Sequence, residues 1–214
     1  LFAALPGTRV HGAQFARDTS AAAVLTDAAG LDLLTKAQES RPILVVEDIR
    51  AVLGPISAEI YGHPTRDLTV IGVTGTSGKT TTSYLLEAGL LHAGHSVGLI
   101  GTTGTRINRT PVPTSLTTPE APTLQELFAR MKNEGVTHVV MEVSSHALEL
   151  GRVRGTRFAV GGFTNLSQDH LDFHPTMEDY FQAKAKLFAG EQAAERSVLC
   201  IDDEWGERMR GVAK

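Results

Sequence analysis

The chain has 214 residues, enough for one well-packed domain and part of a second without a disulfide or a structural metal. Its 20 Lys and Arg residues against 24 Asp and Glu residues give a formal net charge of −4, which argues against general binding to nucleic acid or to an anionic membrane. No apolar stretch approaches the ~20 residues of a transmembrane helix, and the amino-terminal residues lack the pattern of a signal peptide. We therefore expect a cytoplasmic protein that is a monomer and does not insert into membranes.

The first 64 residues are expected to form a small α/β domain. Apolar runs at Ala22–Thr26 and Ile43–Val46 predict strands, and Ile49–Tyr61 has a helical pattern that stops at Gly62-His63-Pro64. The chain starts abruptly with the apolar run Leu1–Leu5, which suggests that this domain is incomplete.

Residues 65–214 are expected to form a second domain in which short apolar strands alternate with amphipathic helices. This alternation is typical of a parallel sheet with helices on both faces. The expected strands are Thr69–Val73, Ser96–Ile100, Thr137–Glu142, Phe158–Thr164 and Val198–Ile201. The expected helices are about Lys79–Ala93, Thr123–Asn133 and Met177–Ala189.

Two further segments of this domain have characteristic compositions. Gly101 to Pro122 is rich in Gly, Thr and Pro, and it looks too irregular to contain an element of its own; loops of this length are usually functional or disordered. The single cysteine, Cys200, lies in the apolar run Ser197 to Ile201, which predicts a buried strand. One cysteine cannot form an internal disulfide, which fits a reducing compartment.

The strongest local signal is a glycine loop between an apolar strand and a helix start, at Val70 to Thr81. In such a P-loop the backbone N–H groups and the helix N-terminus bind phosphate, the lysine reaches the terminal phosphates and a hydroxyl can hold Mg²⁺. The spacing departs from the usual G-x-x-x-x-G-K-[ST] pattern and reads T-G-T-x-G-K-T-T. A glycine turn without a ligand is the alternative. The residues expected to bind nucleotide are Gly75, Thr76, Ser77, Gly78, Lys79, Thr80 and Thr81.

The T-G-T-x-G-K-T-T form resembles that of the Mur ligase superfamily, and three further segments narrow the resemblance to the MurE type. These segments are Leu116–Glu120, Met141–Leu148 and Thr164–His174. The resemblance runs along the whole chain. It implies a P-loop-type ligase that uses ATP and Mg²⁺ to join an amino acid to UDP-MurNAc-L-Ala-D-Glu through an acyl phosphate.

The resemblance also sets an expectation about the domains. Residues 1–64 would be the incomplete domain that binds the UDP precursor, and residues 65–214 would be an incomplete central ATP-binding domain. The family's third domain, which binds the incoming amino acid, has no counterpart in this sequence. We therefore expect these residues alone to be inactive. The added residue is expected to be meso-diaminopimelate, with lysine left open.

Four residues are candidate metal ligands. Thr80 is a candidate because its hydroxyl is the P-loop group that can hold Mg²⁺. Glu142 is a candidate because it ends an apolar strand expected to lie beside the P-loop strand, where a carboxylate is placed to bind Mg²⁺. Glu142 could instead cap Ser144 or Ser145. The resemblance implies that Glu142 is a metal ligand. It implies the same role for His170, for which the alternative is an ordinary loop histidine that binds no metal.

The fourth candidate is Lys184, on the expected helix Met177–Ala189. Apolar residues at helical spacing place it on the core-facing stripe, whereas Lys186 lies on the other face. A lysine in that position either extends to solvent or is desolvated enough to populate the neutral amine. The resemblance implies that the Lys184 amine is carbamylated and helps to hold a second Mg²⁺, so Lys79, His170 and Lys184 are the expected catalytic residues.

The same resemblance assigns contacts to the UDP-MurNAc-dipeptide to Thr117, Thr118, Ser144 and Arg152. A guanidinium suits a substrate that carries a carboxylate and a pyrophosphate, although Arg152 in isolation would be read as a surface residue. Two other functions stay open. One is a folylpolyglutamate synthase-like ligase, and the other is a non-catalytic P-loop module that binds nucleotide.

Overall fold

A computed structural model describes residues 1–7, 9–169 and 172–213. It divides the chain into two compact units, Leu1–Leu53 and the remainder from Gly54 onward. The division falls inside a helix, earlier than the break at Gly62-His63-Pro64 that the sequence indicates. In the part of the chain that the structure describes, no helix is long and apolar enough to cross a membrane.

The first unit contains a small parallel sheet. Its strands β1 (Phe2–Ala3), β2 (Val24–Thr26) and β3 (Ile43–Val45) lie side by side in that order. Helix α1 (Ala28–Lys36) begins after Asp27, whose carboxylate accepts a hydrogen bond from the backbone N–H of Gly30 and so caps the helix. Helix α2 (Ile49–Ile60) follows β3. The small α/β character expected for this part of the sequence is confirmed.

The second unit is built on a seven-stranded sheet with the order β10-β9-β4-β8-β5-β6-β7. Strands β4, β5, β8, β9 and β10 are parallel to one another, whereas β6 pairs antiparallel with β5 and β7 pairs antiparallel with β6. The strands are β4 (Thr69–Thr74), β5 (Val97–Gly101), β6 (Gly104–Ile107), β7 (Thr110–Val112), β8 (His138–Glu142), β9 (Val160–Phe163) and β10 (Ser197–Leu199). The helices are α3 (Lys79–His92), α4 (Ala121–Asn133), α5 (Ser145–Glu149), α6 (Met177–Ala185) and α7 (Glu204–Val212).

Helices cover both faces of this sheet, as the sequence predicts. Successive side chains of a strand point to opposite faces, and β8 shows the result. Val139 and Met141 lie in the large buried cluster with Phe128 of α4 and Phe181 of α6. Val140, between them, lies in a second cluster against the apolar side of α3. Strand β8, at the centre of the sheet, is therefore buried on both sides.

The prediction that Gly101 to Pro122 contains no element is wrong. Strands β6 and β7 form an antiparallel hairpin in this segment, and α4 begins at Ala121. The hairpin turn is Asn108-Arg109, and both residues have positive φ angles of 47° and 70°. A two-residue turn of this kind usually has the sequence Asn-Gly. Because arginine replaces glycine here, the sequence does not indicate a hairpin.

The prediction that Cys200 lies in a buried strand is also wrong. Strand β10 pairs only with β9 and forms the edge of the sheet, and Cys200, which follows it, is exposed. Val198 is 64% exposed. An apolar run of this length does not distinguish an edge strand from a central one, because both have the same composition.

Candidate active site

The glycine loop lies between the end of β4 and the start of α3, in the strand–loop–helix context that phosphate binding requires. Gly75 has a φ angle of 149°, and a Cβ there would lie 1.9 Å from the hydroxyl oxygen of Thr164. Gly78 has a φ angle of 84° and caps α3. A side chain at either position would be strained, so both glycines are needed for the shape of the loop.

Lys79 is the first residue of α3, and its amine folds back over the loop. It donates hydrogen bonds to the carbonyl oxygens of Gly75 and Thr76, at 2.8 and 2.9 Å. Burial lowers the pKa of Lys79, whereas the charges of Glu142 and Asp169 act in the opposite direction. The amine is thus held directly above the backbone of the loop.

The residues that follow β9 form hydrogen bonds with the glycine loop. The side-chain amide of Asn165 pairs with the peptide of Ser77: its oxygen accepts from the Ser77 N–H at 3.0 Å and its nitrogen donates to the Ser77 carbonyl at 3.1 Å. The hydroxyl of Thr164 donates to the same carbonyl at 2.7 Å. The backbone N–H of Thr76 donates to the Asn165 carbonyl. These bonds fix the loop because β4 and β9 are parallel neighbours and end at the same edge.

Thr80 and Thr81 occupy the first turn of α3, immediately after Lys79. Thr80 is half-buried and Thr81 is exposed. Their hydroxyls therefore lie at the positively polarised end of a helix.

Glu142 ends β8, directly beside β4, where it is paired in register with Val73. Its side chain is 1% exposed, and its two carboxylate oxygens accept hydrogen bonds from the N–H and the hydroxyl of Thr102, both at 3.0 Å. A Cβ on Gly101 would lie 2.4 Å from this carboxylate, so glycine makes room for it. Ser144 caps α5 with its own hydroxyl, which leaves no capping role for Glu142 there.

The four expected substrate-binding residues lie together next to Glu142. The buried hydroxyl of Thr118 donates to the Glu142 carbonyl at 2.9 Å and accepts from the backbone N–H of Ser144 at 3.2 Å. Arg152 donates to the Thr118 carbonyl at 3.5 Å. The hydroxyl of Thr117 lies 3.2 Å from that of Thr102.

Arg152 is less accessible than a surface reading of the sequence suggests. Its side chain is 17% exposed and forms an ion pair with Glu120 at 2.8 Å. Glu120 also lines a cavity of about 530 Å³ in the segment that leads into α4. The other lining residues are Pro113, Thr114, Ser115, Leu116, Pro119 and Thr123. The guanidinium therefore lies beside a space that a ligand could enter.

The core-facing position of Lys184 is confirmed. The residue lies on α6 with 1% exposure, and its amine donates to the Gly75 carbonyl at 2.9 Å and lies 4.4 Å from the centre of the Tyr180 ring. Burial, and secondly the charge of Lys79, lowers the pKa of Lys184 to about 7. Lys186 lies just beyond α6 and pairs with Glu149 at 2.6 Å.

His170, which the resemblance also implies as a metal ligand, lies outside the described residues. Within residues 1–7, 9–169 and 172–213, no group of three or more His, Cys, Asp or Glu side chains is arranged to hold a metal ion. The metal-binding roles of Thr80, Glu142, His170 and Lys184 stay predictions.

Comparison with known families agrees with this arrangement. The profile of the Mur ligase middle domain matches residues 73–214, which contain the glycine loop, Glu142 and Lys184. The chain belongs to the Mur ligase family.

Among its relatives, this Mur ligase chain is 68% identical, over all of its length, to the UDP-N-acetylmuramoyl-L-alanyl-D-glutamate–2,6-diaminopimelate ligase of Corynebacterium glutamicum. A solved structure of a ligase with the same name is 28% identical, with a TM-score of 0.74, and the match covers 88% of this chain and 42% of that one. A folylpolyglutamate synthase/dihydrofolate synthase from Yersinia pestis is 26% identical, with a TM-score of 0.54, over 78% of this chain and 46% of that one. The chain spans 42% of the length of the Corynebacterium glutamicum ligase.

Sequence reasoning missed several residues of this Mur ligase site. Thr102, which holds the Glu142 carboxylate, lies in the segment taken as irregular. Asn165 belongs to a motif that carries the family resemblance, but its pairing with the glycine loop depends on the order of the strands in the sheet. Tyr180 is one of the residues on the apolar stripe of its helix, and its hydroxyl reaches Thr76. The sequence does indicate such a contact, because a tyrosine on an otherwise apolar helix face is buried and its hydroxyl needs a hydrogen-bond partner.

Proposed function

We propose that this chain provides the ATP site and part of the precursor site of a ligase that adds meso-diaminopimelate to UDP-MurNAc-L-Ala-D-Glu in peptidoglycan synthesis. The observation that carries the proposal is the convergence of Lys79 and Lys184 on the Gly75 carbonyl, at the sheet edge where Glu142 lies. The high identity to a diaminopimelate ligase supports this choice of amino acid. The family assignment supports a cytoplasmic enzyme.

In this proposal the glycine loop binds the phosphates of ATP. The loop amides and the start of α3 supply fixed partial positive charge, and Lys79 supplies a full one. When phosphates bind, the Lys79 amine exchanges its two backbone acceptors for phosphate oxygens. Because those acceptors are uncharged carbonyls, the exchange replaces weaker hydrogen bonds with charge-assisted ones.

The described residues fit a bound Mg²⁺. The carboxylate of Glu142 is buried, and no described basic side chain forms an ion pair with it, so a cation would satisfy its charge. The hydroxyl of Thr80 and this carboxylate are oxygen ligands of the kind that Mg²⁺ prefers. The family resemblance adds His170 and a carbamate on Lys184 to the set. When bound, Mg²⁺ supplies positive charge that offsets the repulsion between the two anionic reactants.

The carbamate on Lys184 would form by attack of the neutral amine on CO₂, with formation of one N–C bond and loss of one proton. Burial makes the neutral amine accessible near neutral pH, because it lowers the pKa of Lys184 to about 7. A carbamate is anionic and would lie close to Lys79. The modification therefore turns a repulsion between two ammonium groups into an attraction.

The proposed reaction has two steps. The terminal carboxylate oxygen of the precursor attacks the γ-phosphorus, which forms an acyl phosphate and releases ADP. The amine of the incoming amino acid then attacks the acyl carbon, and phosphate leaves as the amide forms. Thr117, Thr118, Ser144 and Arg152 would orient the precursor through hydrogen bonds, while the loop holds the nucleotide in line.

The two other candidate functions differ in the ligands that they require. The Yersinia pestis structure shows that the fold is shared with folate enzymes, and a folylpolyglutamate synthase-like ligase would bind a folate and no UDP sugar. A P-loop binding module would bind nucleotide but neither a folate nor a UDP precursor.

Binding measurements with the 214-residue chain separate these functions. Titration with UDP-MurNAc-L-Ala-D-Glu should show saturable binding, and Arg152→Ala should weaken it about tenfold or more, because a charge-assisted contact is lost. Arg130→Ala is the matched control, since among the described residues the Arg130 side chain pairs with Glu134 on the exposed side of α4. Saturable binding of a dihydrofolate in place of the UDP precursor would reject the proposed substrate.

A further inference from the structure

Tyr180 is a buried polar residue that the proposed mechanism does not use. It lies on α6 with 0% exposure, one turn before Lys184, and its hydroxyl oxygen is 3.2 Å from that of Thr76 in the phosphate loop. The two residues are 104 positions apart in the sequence. Burial raises the pKa of Tyr180, so the phenol stays protonated and can donate a hydrogen bond.

The hydroxyl of Thr76 has a complete set of partners. It donates to the Ser167 carbonyl at 3.2 Å and accepts from the Ser167 N–H at 2.9 Å. A hydroxyl has one proton to donate and two lone pairs to accept with. With its proton directed to Ser167, the remaining lone pair of Thr76 accepts from Tyr180. The side chain of Thr76 thus faces Ser167 and Tyr180, and only its backbone is left for a ligand.

Contacts with two neighbouring side chains hold the ring of Tyr180 in place, in addition to the hydrogen bond of its hydroxyl. The amine of Lys184 packs against the ring, 4.4 Å from its centre. The ring of His174 lies 5.1 Å away at an interplanar angle of 33°. The hydroxyl therefore projects from a fixed position on α6 and not from a mobile side chain.

We propose that Tyr180 is a positioning residue of the phosphate loop. Its hydroxyl holds Thr76, and with it the peptides of Gly75 to Ser77, in the conformation that binds phosphates. This inference rests on the proposed nucleotide site. In this role Tyr180 acts through Thr76, and it links the loop to the helix that carries Lys184.

The first test is nucleotide binding by the 214-residue chain, measured by titration with a non-hydrolysable ATP analogue and Mg²⁺. Tyr180→Phe removes the hydroxyl and keeps the ring, so binding should weaken about three- to tenfold, the effect of one hydrogen bond. Tyr61→Phe is the matched control, because Tyr61 lies just after α2 and is exposed, and this variant should bind like the wild type. Equal affinities of Tyr180→Phe and the wild type would overturn the inference.

A double-mutant cycle separates positioning through Thr76 from a general loss of stability. If Tyr180 acts through the Thr76 hydroxyl, adding Tyr180→Phe to Thr76→Val should cause less than a twofold further loss of affinity. Independent effects that multiply in the double variant would contradict the proposal.

Hydrogen exchange of the loop amides provides a readout that does not depend on nucleotide. In Tyr180→Phe without ligand, the amides of Thr76 and Ser77 should exchange several-fold faster, while those of β8 keep the wild-type rate. Faster exchange in a chain whose wild type binds no nucleotide would reject the proposed function and retain the role of Tyr180. Unchanged exchange together with unchanged affinity would reject the role of Tyr180 alone.

Discussion

The side-chain amines of Lys79 and Lys184 donate hydrogen bonds to one atom, the carbonyl oxygen of Gly75, at 2.8 and 2.9 Å. Two basic groups are thereby held close together at the edge of the sheet. Burial and the charge of Lys79 lower the pKa of Lys184 to about 7, and burial also lowers that of Lys79. Any anion that enters this place, whether a phosphate or a carbamate, relieves the repulsion. The positive charge of the two amines therefore favours the binding of an anion at this position.

Removal of the Lys79 amine should abolish catalysis and spare the fold. In a full-length ligase that contains these residues, we expect Lys79→Ala to lower ATP-dependent ligation about 100-fold or more, because in the proposed function the lost amine binds phosphates and is not part of the core. Lys132→Ala is the control, since in the part of the chain that the structure describes the Lys132 side chain forms a solvent-exposed ion pair with Asp67, which contributes little to stability. ADP release and thermal unfolding would be measured on both variants. Normal turnover by Lys79→Ala would refute the assignment of the phosphate loop.

The two lysines at the end of α6 should differ in their importance. In the same full-length ligase, Lys184→Ala should cost most of the ligation activity, because it removes the buried amine that would carry the carbamate, and a short-chain carboxylate should restore part of it. Lys186→Ala removes only a partly exposed pair with Glu149 and should be nearly silent. The check is a paired kinetic comparison at saturating Mg²⁺. Similar losses in both variants would contradict the proposed carbamate.

The carbamate on Lys184 should depend on pH in a defined direction. The pKa of Lys184 is lowered to about 7 from 10.5, so the neutral amine that reacts with CO₂ predominates above that value and protonation removes it below. Carbon-13 NMR of the chain in labelled bicarbonate should show a carbamate signal at about pH 8 that declines toward about pH 6. Lys184→Ala should lack the signal. A signal of constant intensity across this range would rule out the buried amine as its origin.

A methyl group at Gly101 should disturb the Glu142 carboxylate. The added Cβ would lie 2.4 Å from Oε1, so Gly101→Ala should lower stability by about 1–3 kcal/mol and weaken Mg²⁺-dependent nucleotide binding. The control is Gly89→Ala on α3, where a Cβ meets nothing within 4 Å. That change should raise stability by up to about 1 kcal/mol, because alanine favours the helix. Both are measured by denaturant unfolding and by titration. Full Mg²⁺-dependent binding by Gly101→Ala would show that Glu142 is not needed for it.

The parts of this fold that could be predicted are those encoded in short segments. Strands β4 and β8 are continuous apolar runs because helices cover both of their faces, and the glycine loop follows β4 directly. Lys184 could be placed on the core face because the apolar residues around it repeat at helical spacing.

The remaining features depend on contacts between distant segments. The pairing of Asn165 with Ser77 and the bond from Tyr180 to Thr76 each require β9 and α6 to lie beside the phosphate loop, which no local pattern encodes. The exposure of Cys200 depends on β10 being an edge strand. The family resemblance supplied the motifs that meet at the site, but not the hydrogen bonds that join them.

The central claim is tested most directly by product formation in a chimaera. These 214 residues would replace the segment of the Corynebacterium glutamicum ligase to which they are 68% identical. The chimaera would be supplied with ATP, Mg²⁺, UDP-MurNAc-L-Ala-D-Glu and meso-diaminopimelate, and the products analysed by mass spectrometry. We predict formation of the UDP-MurNAc-tripeptide with release of equal amounts of ADP and phosphate, and its loss in a chimaera that carries Lys79→Ala. A folded chimaera that binds nucleotide but forms no tripeptide, or one that forms it equally well with Lys79→Ala, would contradict the account.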